Sequence, residues 1–364
     1  MKANYVIIAA LGAFALTAVS CINGNWGGKD TQIDNSVTVE IEQEPVVVPS
    51  DDIMDYGKSQ IINSDKEGNL HLEVEAKGSA SITTVLNEGE ATEIPGQLEM
   101  APEEEDLPDF CSSESGAIFS DARVILSLKN PSPTPVLFNG KISAGSKVED
   151  LPALLVPPAT EEYKIALTLR KNPTLELEDK FKADEEFIVS DNVADVINHL
   201  SADDGIVIKT LTVEPATKAI APASEGYEFS VGATLHVPLF FPAGTVLKYD
   251  IDFTGELIDV SKYNVTVNDY QIEADVTNTI PFEISGTGTS TNGVYAELDT
   301  PIKAGDVNAP ANTKVYIHIK STATVVNLEG AVLHLVLKTD KDVRLKKNQK
   351  LDIDMKSIKF SEKK

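Results

Sequence analysis

Apolar and polar residues alternate with a period of two along most of this chain, which limits it to sheets with one face buried. Leu70, Leu72, Val74 and Ala76 fall on one side of a run whose other side carries His71, Glu73 and Glu75. Val124, Leu126 and Leu128 repeat the pattern, as do Ile165, Leu167 and Leu169. Further runs are Leu247-Tyr249-Ile251-Phe253, Ile272-Ala274-Val276, Val315-Ile317-Ile319 and Leu333-Leu335-Leu337. In the last run Leu351, Ile353 and Met355 share a face, but Ile358 and Phe360 have the opposite parity. A β-bulge is therefore expected at Lys356-Ser357. Proline and glycine cluster between the runs, where they interrupt no ladder.

One segment has helical spacing instead. Val193, Val196, Ile197 and Leu200 lie at i, i+3, i+4 and i+7 behind a capping Ser190 or Asp191, and Asp203-Asp204-Gly205 closes the segment. The expected fold is mainly β: two tandem antiparallel β-sandwich domains with one short helix. An internal repeat supports the pair of domains. Val124 to Asn130 leads into Pro135-Val136-Leu137-Phe138-Asn139-Gly140, and Ile272 to Asn278 leads into Pro281-Phe282-Glu283-Ile284-Ser285-Gly286. Each copy is a strand ending in Asn, a turn, and Pro-x-x-(Phe or Ile)-x-Gly. The first domain is expected over 56–220 and the second over 224–364, joined near Thr217 to Gly226, where Pro, Ala and Ser gather.

The amino terminus is of another kind. Lys2 precedes an apolar run from Tyr5 to Val19, and small or compact residues Ala18-Val19-Ser20 stand before Cys21. That is the pattern of an export signal, and the run is shorter than the ~20 apolar residues a spanning helix needs. Ala18-Val19-Ser20-Cys21 resembles the lipobox of bacterial lipoproteins, with Ala18 where that family more often has Leu. The resemblance implies a signal peptide over 1–20 and lipidation at Cys21; an ordinary cleaved signal ending beside a cysteine is the alternative. Residues 21–55 then read as a tether, flexible at Asn23-Gly24-Asn25 and Gly27-Gly28. The alternating Val37, Val39 and Ile41 fit a first strand as well.

Charge narrows the partners. The formal charge of −26 leaves few cations to displace phosphate counterions, so nucleic acid is not an expected partner. It also leaves membrane attachment to acyl chains rather than to a basic surface. Lys338 to Lys364 is locally basic and suits pairing within the molecule or with a neighbouring copy rather than with DNA. With Cys21 acylated, Cys111 has no disulfide partner, and Asp109 and Glu114 near it do nothing to lower its pKa.

No catalytic, cofactor or metal site is expected, and the chain is read as non-enzymatic. His71, His199, His236, His318 and His334 lack His-x-x-x-His spacing. The four in strand runs fall at polar-face positions and are read as surface residues. No Gly-x-Ser-x-Gly elbow or phosphate-binding glycine loop occurs. Gly286-Thr287-Gly288 has no helix after it and reads as a turn. Asp250/Asp252 and Asp352/Asp354 pair carboxylates about 7 Å apart along a strand, a spacing that glycosidases and calcium sites use. Any solvent-facing strand shows the same alternation. The acidic stretch from Glu99 to Asp109 is either a solvated loop or a place for a cation or basic partner. The only Trp is Trp26, and Tyr163, Tyr249 and Tyr316 read as core or boundary residues, so glycan binding is permitted but not indicated.

Taken whole, the chain resembles the cell-envelope lipoproteins of Bacteroides-type bacteria, with lipobox, tether and tandem β-sandwiches. The resemblance implies an outer-membrane protein anchored through lipid on Cys21, with no cofactor, acting as a structural or protein-interaction module toward an envelope partner. A glycan-binding accessory lipoprotein of a nutrient-uptake system is the alternative. The membrane face stays open, because Ile22-Asn23-Gly24-Asn25-Trp26 lacks the acidic run that takes some such proteins to the cell surface.

Overall fold

The structure, a computed structural model, describes residues 37–40, 44–54, 56–57, 59–83, 85–101, 108–111, 121–159, 161–169, 177–197, 205–221, 226–253, 269–289, 294–321 and 331–361. The leader, Cys21, Trp26, His199, Leu200 and residues 102–107 of the acidic stretch lie outside the described residues. In chain order the elements are β1 (Val37–Glu40), β2 (Val46–Pro49), α1 (Ser50–Ile53), β3 (Ile62–Ser64), β4 (Leu70–Ile82), β5 (Thr92–Glu93) and β6 (Leu98–Met100). Then come β7 (Arg123–Lys129), β8 (Val136–Ala144), β9 (Lys147–Asp150), β10 (Leu154–Val156), β11 (Tyr163–Thr168), β12 (Glu185–Ile188), α2 (Asp191–Ile197), β13 (Ile206–Pro215) and β14 (Tyr227–Pro238). The chain continues through β15 (Phe240–Phe241), β16 (Val246–Phe253), β17 (Asp269–Asn278), β18 (Glu283–Thr289) and β19 (Val294–Leu298). It ends with β20 (Ala311–Ser321), β21 (Ala331–Lys338), β22 (Val343–Arg344) and β23 (Lys350–Ser361). The mainly β, antiparallel fold read from the alternation is what forms.

The described residues fall into two units, an inner one within 58–242 and an outer one from residues before 58 and after 242. In the inner unit one sheet runs β12-β11-β7-β14-β4-β3, and the other carries β9 and β10 on β8, then β13, then β5 and β6. Eight principal strands thus lie as first-last-third-sixth (β4-β14-β7-β11) and second-seventh-fourth-fifth (β6-β13-β8-β10). That is the strand order of a jelly roll, two Greek keys wound together. The outer unit repeats it along β1-β23-β17-β20-β19-β18-β21-β16, with β2 also on β23 and β19 bonding to both β18 and β20.

The two units are therefore not end to end in sequence: the inner one is inserted between the first and second principal strands of the outer one. Val37 pairs with Phe360 and Val46 with Ile353, so β1 and β2 are edge strands of the outer unit rather than tether. Val48, Ile53 and Met54 are buried to 1 % exposure or less, and Ser50 N–H donates to the Gln349 carbonyl at 2.8 Å. The tether expected over 21–55 is therefore overturned over 37–40 and 44–54. The expected division after residue 220 is displaced too, because β14 runs between β4 and β7 and completes the inner unit.

Local signals translate directly. On β23, Ser357 pairs with Glu273 and Met355 with the next residue Ala274, which leaves Lys356 as the extra residue of the expected bulge. In α2, Val193, Val196 and Ile197 are buried, and the Val193 N–H donates to Ser190 Oγ at 3.4 Å. The repeat has a structural counterpart. Asn130 and Asn278 are both fully buried at strand ends. Asn130 Nδ2 donates to the carbonyls of Thr134 (2.9 Å) and Val156 (3.1 Å), while its Oδ1 accepts from Ser132 N–H at 3.1 Å. Asn278 Nδ2 donates to Phe282 (3.1 Å) and Lys303 (2.8 Å), and its Oδ1 accepts from Ile280 N–H at 2.7 Å. In each unit one buried amide closes the turn and clips a more distant segment to it.

Candidate functional site

The inner unit's β12-to-β3 sheet turns its polar face outward, and cross-strand register sorts that face into rows. Lys77, Gly232, Ser127 and Lys164 stand side by side on β4, β14, β7 and β11. The next row is Glu75, Thr234, Ile125 and Ala166, and the one after it Glu73, His236, Arg123 and Thr168. With glycine, serine and threonine in the middle and long charged side chains at the margins, the face is hollow at its centre. The result is a groove of 210 Å³ whose floor includes Ser127, Ser230, Gly232 and Thr234. Carboxylates (Glu73, Glu75, Glu162) and ammonium groups (Lys77, Lys164, Lys180) line it together. A Cβ on Gly232 would meet Ser127 Cβ at 3.5 Å, an ordinary contact, so the hollow is not forced by backbone crowding.

One end of this face is covered by the connector between β11 and β12. Its 3₁₀ turn, Asp179–Phe181, sets the Phe181 ring against Ile125 and Ala166, flanked by Leu177 and Ala183. The ring stacks on His236 at 3.8 Å between centroids and meets the edge of His71 at 5.2 Å. His71 and His236 are each 4 % exposed and 4.9 Å apart. They do lie on the polar side of their strands, but the connector shields them from water, which corrects their reading as surface residues. Arg123, 1 % exposed, reaches Glu186 Oε1 with Nη1 at 3.4 Å. Three nitrogens in this cluster, His71 Nε2, His236 Nδ1 and Arg123 Nε, have no hydrogen-bond partner among the described residues.

The electrostatics follow from burial. Desolvation, aided by His71, Arg123 and Lys180, pulls the His236 pKa down to about 2. Desolvation also lowers His71, against the opposing pull of Glu73. Both imidazoles are therefore neutral at pH 7. Lys180 Nζ lies 2.6 Å from Glu73 Oε2 and 4.5 Å over the Phe181 ring, pinning the turn to β4.

The remaining residues singled out by sequence are dispersed. His318 is half-buried beside Gln271, its Nε2 3.1 Å from Gln271 Nε2. His334 is half-buried and bonds Asp250 Oδ1 through Nδ1 at 2.7 Å. Asp352 pairs with Lys350 at 3.0 Å and Asp354 with Lys356, so each of these carboxylates is held in an ion pair with a lysine two residues along β23. Gly286-Thr287-Gly288 is no turn: it lies within β18, where a Cβ on Gly286 would come 2.9 Å from the His334 carbonyl. Cys111 is buried in a 3₁₀ turn, Asp109–Cys111. Among the described residues no cluster of three or more His, Cys, Asp or Glu has metal-binding geometry, and no helix is long and apolar enough to cross a membrane.

The chain shares its fold with the crystal structure of a putative secreted protein from Parabacteroides distasonis. That match has a TM-score of 0.52 at 17 % identity and covers 90 % of this chain and all of the other. Two viral structures also align. One, of infectious bursal disease virus strain Gx, has a TM-score of 0.19 at 9 % identity over 84 % of this chain and 74 % of that one. The other, major capsid protein P2 of bacteriophage PM2, scores 0.13 at 12 % identity over 79 % and 98 %. Similarities that low carry no argument. No protein-family model matches the sequence, and no curated protein matches it.

Proposed function

We propose that this chain is an exported protein, held in the outer membrane by lipid on Cys21, that works as a non-enzymatic binding module of the cell envelope. Its partner on this reading is another envelope protein. The observation that carries it is the outward groove of the inner unit, where carboxylates and ammonium groups surround a floor of small residues. Such a surface steers and registers a charged partner through complementary potential. The leader supplies the compartment, and the likeness to a protein described as secreted fits it. Glycan capture is the second reading, favoured by the floor hydroxyls of Ser127, Ser230 and Thr234 beside carboxylates that accept from sugar hydroxyls.

Membrane fractionation tests the anchor. The wild-type protein is expected to stay with the membrane through a carbonate wash and the Cys21→Ala variant to leave it; a Cys21→Ala protein that stays would contradict lipid anchoring. The groove is tested by Gly232→Gln, which fills the floor where a Cβ is sterically accepted. This substitution is expected to weaken partner binding at least tenfold, about 1.4 kcal/mol, at unchanged melting temperature.

A further inference from the structure

The cluster beneath the β11–β12 connector contains more buried polar surface than packing alone requires. Two neutral imidazoles and a guanidinium are held out of water with one nitrogen each unsatisfied, and buried orphans of that kind call for an explanation. We propose that residues 177–182 form a lid at the end of the groove that is closed while His71 and His236 are neutral and released when they take up protons.

The closed lid rests on the Phe181 plug against the two imidazoles and on the Lys180–Glu73 ion pair. Lys164 Nζ also donates to the Lys180 carbonyl at 3.1 Å. Its downstream end is fixed: Asp184 N–H donates to the Lys164 carbonyl and Lys164 N–H to Asp184 Oδ2, both at 2.8 Å, before β12 joins β11. A local opening can therefore hinge at Asp184 without disturbing the sheet. Water has a way in, because a 20 Å³ crevice between Leu177, Glu178, Phe181 and the imidazoles reaches both rings. That is enough for about one water molecule.

A proton on His236 would be poorly compensated, whereas one on His71 would meet Glu73, whose Oε2 lies 3.7 Å from Nε2 and is shared with Lys180. Around His236 stand His71, Arg123 and Lys180, all neutral or positive, and its cross-strand neighbour Glu73, whose carboxylate is paired with Lys180. His71 faces Glu73, Glu178, Asp65 and Lys180. Glu73 is already paired with Lys180, and Asp65 is bound by Asn69 through both its N–H and Nδ2, at 2.8 and 2.7 Å. Glu186, the acid nearest Arg123, pairs with that guanidinium. With the lid open, both imidazoles reach water and titrate near ~6.5. Because closure depresses the pKa of a base, the closed state is favoured above about pH 6.5 and loses ground as pH falls through that value. The opening equilibrium rises about tenfold per pH unit for one histidine and about a hundredfold if both protonate together.

That this lid governs ligand access rests on the groove being the binding site; the lid's own response does not. Amide hydrogen exchange of the full chain, corrected for intrinsic rate, reads it without any ligand. Between pH 7.5 and 5.0, protection of peptides covering 177–184 is expected to fall by about 30-fold to about 1000-fold, while β4 and β14 keep theirs. In His71→Phe/His236→Phe the fall disappears, and in His236→Phe alone its slope is at most one. The proposal is overturned if 177–184 shows no pH dependence, if His236→Phe keeps a slope above one, or if β4 and β14 lose protection together with the lid.

Discussion

Asn130 and Asn278 show how much one residue can decide. Each uses both amide N–H groups and its carbonyl oxygen inside a unit, and each bridges a turn to a segment some twenty-five residues further on. Removing either leaves buried carbonyls without donors, so Asn130→Ala and Asn278→Ala are each expected to cost about 2–3 kcal/mol; denaturant unfolding measures it, and a cost under about 0.5 kcal/mol would refute the role. Gly305 belongs to the same clip, since a Cβ there would fall 1.8 Å from the Asn278 carbonyl oxygen. Gly305→Ala should therefore destabilise the outer unit more than Asn278→Ala does. The asparagine repeat was legible because its bonds run mostly to i+2 and i+4. The histidine pair was not: alternation correctly put His71 and His236 on an outward face, but only a distant connector decides that this face is covered. Gly286 misled for a similar reason, since a glycine pair reads as a turn until a neighbouring strand is known to approach it.

Among the elements, β1, β2 and α1 carry the main departure from the sequence reading. Their alternation was visible, but their partner β23 lies at the other end of the chain, and pairing over such distance leaves no local trace. The Lys356 bulge, by contrast, was readable because a parity change is local. Burying Val48, Ile53 and Met54 is worth about 1.5–3 kcal/mol each, comparable in sum with the 5–15 kcal/mol stability of a whole domain. A chain starting at residue 58 is expected to keep the inner unit folded and lose the outer one. A 58–242 fragment should fold alone, whereas 56–220, which lacks β14, should not. Dispersed amide resonances in the first and collapsed ones in the second are the expected spectra; folding of 56–220 would contradict the unit boundaries.

For the whole molecule, the duplicated jelly roll accounts for the repeat and for the scarcity of helix among the described residues. The leader and Cys21 lie outside the described residues, and the groove emerges only when four strands from separate parts of the chain align. No run of sequence announces it, because its floor is made by what Gly232 and Ser127 lack. The measurement that tests the account most directly is site-specific photo-crosslinking in intact cells from Thr234 on the groove floor, with exposed Leu155 on the other sheet as control. The account predicts a discrete envelope-protein adduct from Thr234, lost when Gly232→Gln is added and missing from Leu155. No adduct at Thr234, or the same adducts from both positions, would contradict the groove as the working surface of this protein.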